Sequence, residues 1–132
     1  MEIVRRVYEA AARRDSDAVL ALYHPEVEWV PGGDHPLGGM IGEARGSEGL
    51  RRWMREWHQM WEEYEDTLEE LIAAEGEKVV SVSTMRGRGR GSGVSVESTS
   101  NAGVWTIRDG RIIRVEWFGT REQALEAAGL SE

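Results

Sequence analysis

Residues 103–130 read GVWTIRDGRIIRVEWFGTREQALEAAGL, and this closing stretch decides the fold. Two apolar runs flank Asp109-Gly110. An Asp-Gly pair in that setting is a strong hairpin signal, because the glycine takes the positive φ of a primed turn. The stretch therefore predicts a strand, a tight turn, a second strand over 112–118, and a short helix over 122–128 stopped by Gly129.

Working backward from the hairpin, residues 94–107, 78–90 and 67–74 read as three further strands. Gly91-Ser92-Gly93 and Glu75-Gly76-Glu77 join them. The first half of the chain reads as helix. Ile3, Val4, Val7, Tyr8 and Ala11 form the stripe of an amphipathic helix over 3–14. Asp15-Ser16-Asp17 caps a second helix over 18–23, with Pro25 enforcing its exit. Residues 27–30 make a brief strand. Residues 31–46 are rich in glycine and hold two of the three prolines, so they read as a loop long enough for a lid or a pocket rim. A third helix over 47–62 carries Leu50, Trp53, Met54, Trp57 and Trp61 on one stripe.

Side chains alternate between the faces of a strand, so parity sorts the candidate residues. On 78–90 one face carries Val79, Ser81, Ser83, Met85, Gly87 and Gly89. The other carries Val80, Val82, Thr84, Arg86, Arg88 and Arg90. Three arginines are not buried unpaired, so the Ser/Met/Gly face turns toward the helices. Asn101, Gly103, Trp105 and Ile107 point inward on the next strand, and Ile113, Val115 and Trp117 on the last. Arg114, Glu116 and Phe118 point outward. Glu97 and Glu116 are the cross-strand partners available to the outward arginines. The acidic residues Glu62, Glu63, Glu65, Asp66, Glu69 and Glu70 read as a solvated helix end and edge strand.

A chain of 132 residues makes one domain with a real core. It has no cysteine, which removes disulfides and thiolate chemistry and fits a reducing cytoplasm. The N-terminus lacks the apolar run of a secretory leader, and no stretch approaches the ~18 apolar residues of a membrane span. A net charge of −8 argues against nucleic acid as a partner, and Arg86-Gly-Arg88-Gly-Arg90-Gly continues a strand pattern too short for a disordered RNA-binding tract. Six tryptophans are the odd feature, and such a cluster means a heavy core or an aromatic cavity. His24, His58 and His35 have no ligand spacing, so no metal is expected.

Three N-terminal helices ahead of a sheet, with ALYHPEVEW at 21–29, RGSEGLRRW at 45–53, RGRGRGSG at 86–93 and the ending quoted above, resemble the SnoaL-like branch of the nuclear transport factor 2-like superfamily. The resemblance implies one α+β domain over 1–132. A curved mixed sheet would wrap as a cone around three N-terminal helices and leave an internal pocket. It implies pairing of two copies through the outer sheet face and chemistry without a cofactor. Family enzymes include ketosteroid isomerase, limonene epoxide hydrolase and polyketide cyclases.

Carried over by position, the family's catalytic groups are mostly replaced. The isomerase base falls at Pro31, with Asp34 the nearest carboxylate. Its helix tyrosine falls at Val7, beside Tyr8, and its second acid at Gly103, where many relatives carry histidine. The hydrolase Arg-Asp-Asp set falls at Ser83, Met85 and Trp117. The cyclase acid also falls at Trp117.

The expected function is therefore a pocket for an apolar cyclic or aromatic small molecule, walled by Trp29, Met54, Trp57, Trp61, Ser83, Met85, Trp105, Val115 and Trp117. If it is catalytic, the resemblance implies isomerisation, cyclisation, elimination or epoxide hydrolysis by proton transfer. Asp34 or His35 would be the base, and Asn101 or a Trp N–H would hold the oxyanion. The alternative is a non-catalytic binding or assembly module, or a cavity remodelled by design on this scaffold.

Overall fold

Apolar spacing places the first helix where its stripe requires it, while the second starts and ends two residues earlier than expected. The computed structural model describes residues 1–31 and 43–130. Helix α1 spans Glu2–Ala12 and buries Val4, Val7 and Ala10. Helix α2 spans Ser16–Ala21, and its N-cap Asp15 accepts a hydrogen bond from the Ala18 amide at 3.1 Å. The chain is already extended at Tyr23, so strand β1 (Tyr23–Pro31) is longer than the sequence implied and takes Pro25 into a register shift. After the short β2 (Ala44–Arg45), helix α3 runs Gly46–Met60 and buries Leu50, Met54 and Trp57.

Helix α3 passes into strand β3 (Trp61–Ala74) without a loop. This corrects the sequence reading at both ends of the junction. Trp61 and Glu62 belong to the strand, which begins six residues before Thr67. Arg90 holds the junction: its backbone amide donates to Met60 O at 2.9 Å, and its guanidinium donates to Gln59 O and Trp61 O at 3.2 and 3.0 Å. Carbonyls at the helix end that would lack partners are thereby satisfied.

Strands β4 (Lys78–Gly89), β5 (Ser95–Arg108) and β6 (Arg111–Phe118) follow, then helix α4 (Arg121–Ala127). Asp109 and Gly110 both take positive φ, 52° and 78°, as the primed hairpin requires. The sheet order is β2-β1-β6-β5-β4-β3, with β1 parallel to β6 and every other pair antiparallel. The fold is the expected α+β arrangement, a curved, unclosed mixed sheet with the helices of the first half against its concave face.

Parity holds on β4 and β5. Val79, Met85 and Trp105 join the core under α1–α3, while Val80, Ala102, Val104 and Phe118 form a second core on the convex face, covered by Ala124, Leu125 and Ala128. One position on β6 is corrected. A bulge between Thr106 and Ile107 makes Ile107 pair with Ile112, so Ile112 is the fully buried inward residue and Ile113 is only half-buried. Arg86 meets Glu97 at 2.6 Å and Arg88 meets Glu63, while Glu116 pairs with Arg114, at 3.6 Å, rather than with the arginines of β4. No helix among the described residues is long and apolar enough to cross a membrane.

Candidate functional site: an aromatic cavity with a buried carboxyl

Helices α1, α2 and α3 and the concave sheet face enclose a cavity of about 310 Å³. Its wall is a continuous chain of rings. Trp53 lies 4.9 Å from Trp29 and stacks on Trp57 at 5.2 Å and 11°. Trp57 meets Tyr64 edge-on at 5.7 Å. In the other direction Trp29 touches Trp117 at 5.3 Å, Trp117 meets Trp105 at 5.6 Å, and Trp105 lies 6.0 Å from Tyr8. Offset and edge-on contacts of this kind each contribute on the order of 1 kcal/mol beyond the area they bury. The exposed residues Ala11, Ala12, Arg14 and Glu65 also line the cavity, so it opens to solvent between α1 and β3.

Two glycines leave room for the rings. A Cβ on Gly103 would stand 2.9 Å from the Trp105 Nε1 and 3.0 Å from the Trp117 ring. A Cβ on Gly87 would stand 2.6 Å from the Trp61 ring.

Polar groups are few and specific. The Trp105 Nε1–H donates to Ser81 Oγ at 2.7 Å, and the same hydroxyl shares a 3.0 Å hydrogen bond with Tyr8 Oη. Ser83 Oγ donates to the Asn101 carbonyl at 3.3 Å. Asp66 lines the cavity from β3, paired in register with Met85. Its Oδ1 is buried without a hydrogen-bond partner among the described residues. Burial pushes the Asp66 carboxyl up to about 6, and the Ser83 hydroxyl offsets part of that rise. Burial raises the Tyr8 and Tyr64 hydroxyls well above their ordinary value, with the Asp66 charge adding to the rise, so both stay protonated at neutral pH. Tyr23 Oη and the Nε1 atoms of Trp29 and Trp117, all on cavity residues, also lack partners among the described residues.

The expected wall residues divide. Trp29, Met54, Trp57 and Met85 line the cavity, as do Trp105, Trp117 and Asn101. Trp61, Ser83 and Val115 do not. Trp61 packs behind the wall on Trp57 and Tyr64, Ser83 is fully buried beside Asp66, and Val115 is core. Asp34 and His35 lie outside the described residues, as does the greater part of the expected lid.

Three residues were missed as site groups: Tyr8, Tyr64 and Asp66. The acidic run was read as solvated throughout, and Asp66 is the exception. A bulge between Trp61 and Glu63 shifts the alternation, so Tyr64 and Asp66 pair with Gly87 and Met85 and one acid of the run reaches the inner face. Simple alternation along the strand does not reveal it. Among the described residues no three His, Asp or Glu side chains gather as a metal site.

The SnoaL-like domain family matches residues 4–115. The chain belongs to the SnoaL-like family. No functionally curated protein matches it. An NTF2-like protein of unknown function from Burkholderia pseudomallei is similar over 97% of this chain and 95% of its own, at 26% identity and a TM-score of 0.77. An NTF2-like protein from Burkholderia thailandensis covers 89% of this chain and 87% of its own, at 30% identity and a TM-score of 0.76. The structure of TerC co-crystallized with polyporic acid covers 96% and 95%, at 24% identity and a TM-score of 0.74, a likeness of fold alone.

Of the positions onto which the resemblance carries the family's acids, Trp117 and Met85 line the cavity, and Gly103 leaves room for the Trp105 and Trp117 rings.

Proposed function

We propose that this SnoaL-like domain binds an apolar cyclic or aromatic small molecule and acts on it by proton transfer, with Asp66 as the acid–base group. The observation that carries this reading is a carboxyl with an unpartnered oxygen in an aromatic-walled cavity. A carboxyl poised near 6 exchanges protons readily at neutral pH. Tyr8 and Tyr64, both held protonated, are its neighbours in the cavity, and an indole N–H of Trp29 or Trp117 or the amide of Asn101 would hold an oxyanion. Isomerisation, cyclisation, elimination and epoxide hydrolysis are the reactions that fit such a set.

The test has two stages. Tryptophan emission is followed while steroids, terpenes, epoxides and cyclic ketones are titrated. Bound ketones are then placed in D₂O, and exchange at the carbon beside the carbonyl is read by NMR. Asp66→Asn is expected to keep ligand binding and to slow exchange by about 100-fold or more, the scale of a lost general base. Exchange at the parental rate in this variant would remove Asp66 from the role.

A second reading is a binding module without chemistry. It is favoured by Met85, Trp117 and Gly103 standing where family acids fall, and it predicts saturable binding with no exchange. In either reading two copies would pair through the outer sheet face, on the part that α4 leaves uncovered.

A further inference from the structure

A second groove adjoins the cavity on the outside of α3. Arg51, Arg55, His58 and Gln59 recur along one side of that helix, and with Ser16 and Arg90 they line a space of about 410 Å³. His58 lines both this groove and the aromatic cavity, so the two spaces share a wall. The groove is lined by three guanidiniums and no carboxylate, in a chain of net charge −8. The Arg51 guanidinium is partly neutralised by Asp17 at 2.8 Å. Arg90 uses two of its five guanidinium N–H groups on the neutral Gln59 and Trp61 carbonyls, so neither bond offsets its charge. Arg55 has no hydrogen-bond or ion-pair partner among the described residues. Arg14, on the cavity side, donates to the Tyr64 carbonyl at 3.2 Å, and its guanidinium lies 5.8 Å from the Tyr64 ring centroid.

An anion is what such a groove lacks. Guanidinium is a planar fork that matches carboxylate and phosphate oxygens. Like charges arranged around one space raise the local concentration of counter-ion. We propose that the ligand whose ring fills the cavity also carries an anionic group, a carboxylate or a phosphate, and that this group lies past His58 between Arg51, Arg55 and Arg90. The inference rests on the cavity reading and adds the charge class of the molecule. It separates the ligand into an apolar ring held by indoles and an acidic arm held by arginines.

The test uses one ring with and without the charge. 4-(1-Naphthyl)butanoate and its methyl ester are titrated against the full chain by calorimetry at low salt. The acid is expected to bind at least tenfold tighter than the ester, and the advantage should shrink at high salt as screening rises. In the Arg51→Ala/Arg55→Ala double variant the acid should lose about tenfold, while the ester, having no charge to lose, binds as before. Arg55→Gln alone breaks no contact of the fold and should remove part of the same advantage. Equal affinity for acid and ester, or an advantage that survives the double variant, overturns the anionic arm while leaving the cavity in place. Failure of both compounds to bind overturns the arm and the cavity reading together.

Discussion

Asp66 weakens the fold once it ionises. Its carboxyl titrates at about 6 in the folded chain, against an ordinary value of 3.8. The fold therefore binds this proton more tightly than the unfolded chain does, and stability falls as pH rises from about 4 through about 6. A shift of that size corresponds to a penalty of up to roughly 3 kcal/mol once the group is ionised. Asp66→Asn keeps the shape and removes the charge. Urea unfolding is expected to show the variant more stable than the parent at pH 8, with the difference vanishing near pH 4. Parallel curves at both pH values would show that Asp66 is solvated in the native state. A carboxyl kept at such a cost is what an acid–base site requires, since sites of reaction commonly trade stability for chemistry.

Helix α4 shows what a short element needs in order to exist. Seven residues are too few to be helical alone. Thr120 caps the helix by accepting from the Gln123 amide at 3.1 Å, Gly129 ends it at φ 80°, and Arg121 makes two hydrogen bonds to Glu70 at 2.9 and 3.0 Å. Its apolar side closes the convex core on Val80, Val104 and Phe118. Leu125→Ala should cost about 2–4 kcal/mol and expose α4 amides to hydrogen exchange, while those of α1 stay protected. Loss of protection in both helices would mean that the two cores unfold as one.

The Asp15 cap, the Gly129 stop, the Asp109-Gly110 turn and the stripes of α1 and α3 were legible because each is local. The α3–β3 junction was not, because a stripe through Trp61 satisfies helix spacing until a distant arginine, Arg90, takes the last carbonyls. Nor was the bulge at Ile113, which depends on how β5 and β6 pair rather than on either strand alone. Asp66 was hidden by the bulge after Trp61, which depends on how β3 pairs with β4 and moves the even positions to the inner face.

At the scale of the molecule, one sheet separates two interiors of different character. The concave side holds a space with unpartnered polar groups, while the convex side holds a small apolar core and paired charges such as Arg86–Glu97 and Arg114–Glu28. In the proposed pairing this face would meet a second copy through charges such as these. Sedimentation equilibrium is expected to return the mass of two chains at micromolar concentration. A one-chain mass there discards the pairing and leaves the cavity untouched.

The chain of rings also makes the protein a single optical object. Neighbouring indoles from Trp105 through Trp117, Trp29 and Trp53 to Trp57 stand 4.9–5.6 Å apart, close enough for an absorbed photon to migrate among them before it is emitted. The skewed Trp29 and Trp117, 5.3 Å apart at 54°, should couple as an exciton pair and imprint a two-signed band on the circular dichroism. A molecule that quenches any one ring drains the others. Light put in at the sheet can be taken out at the helix, and the antenna is the wall of the cavity itself.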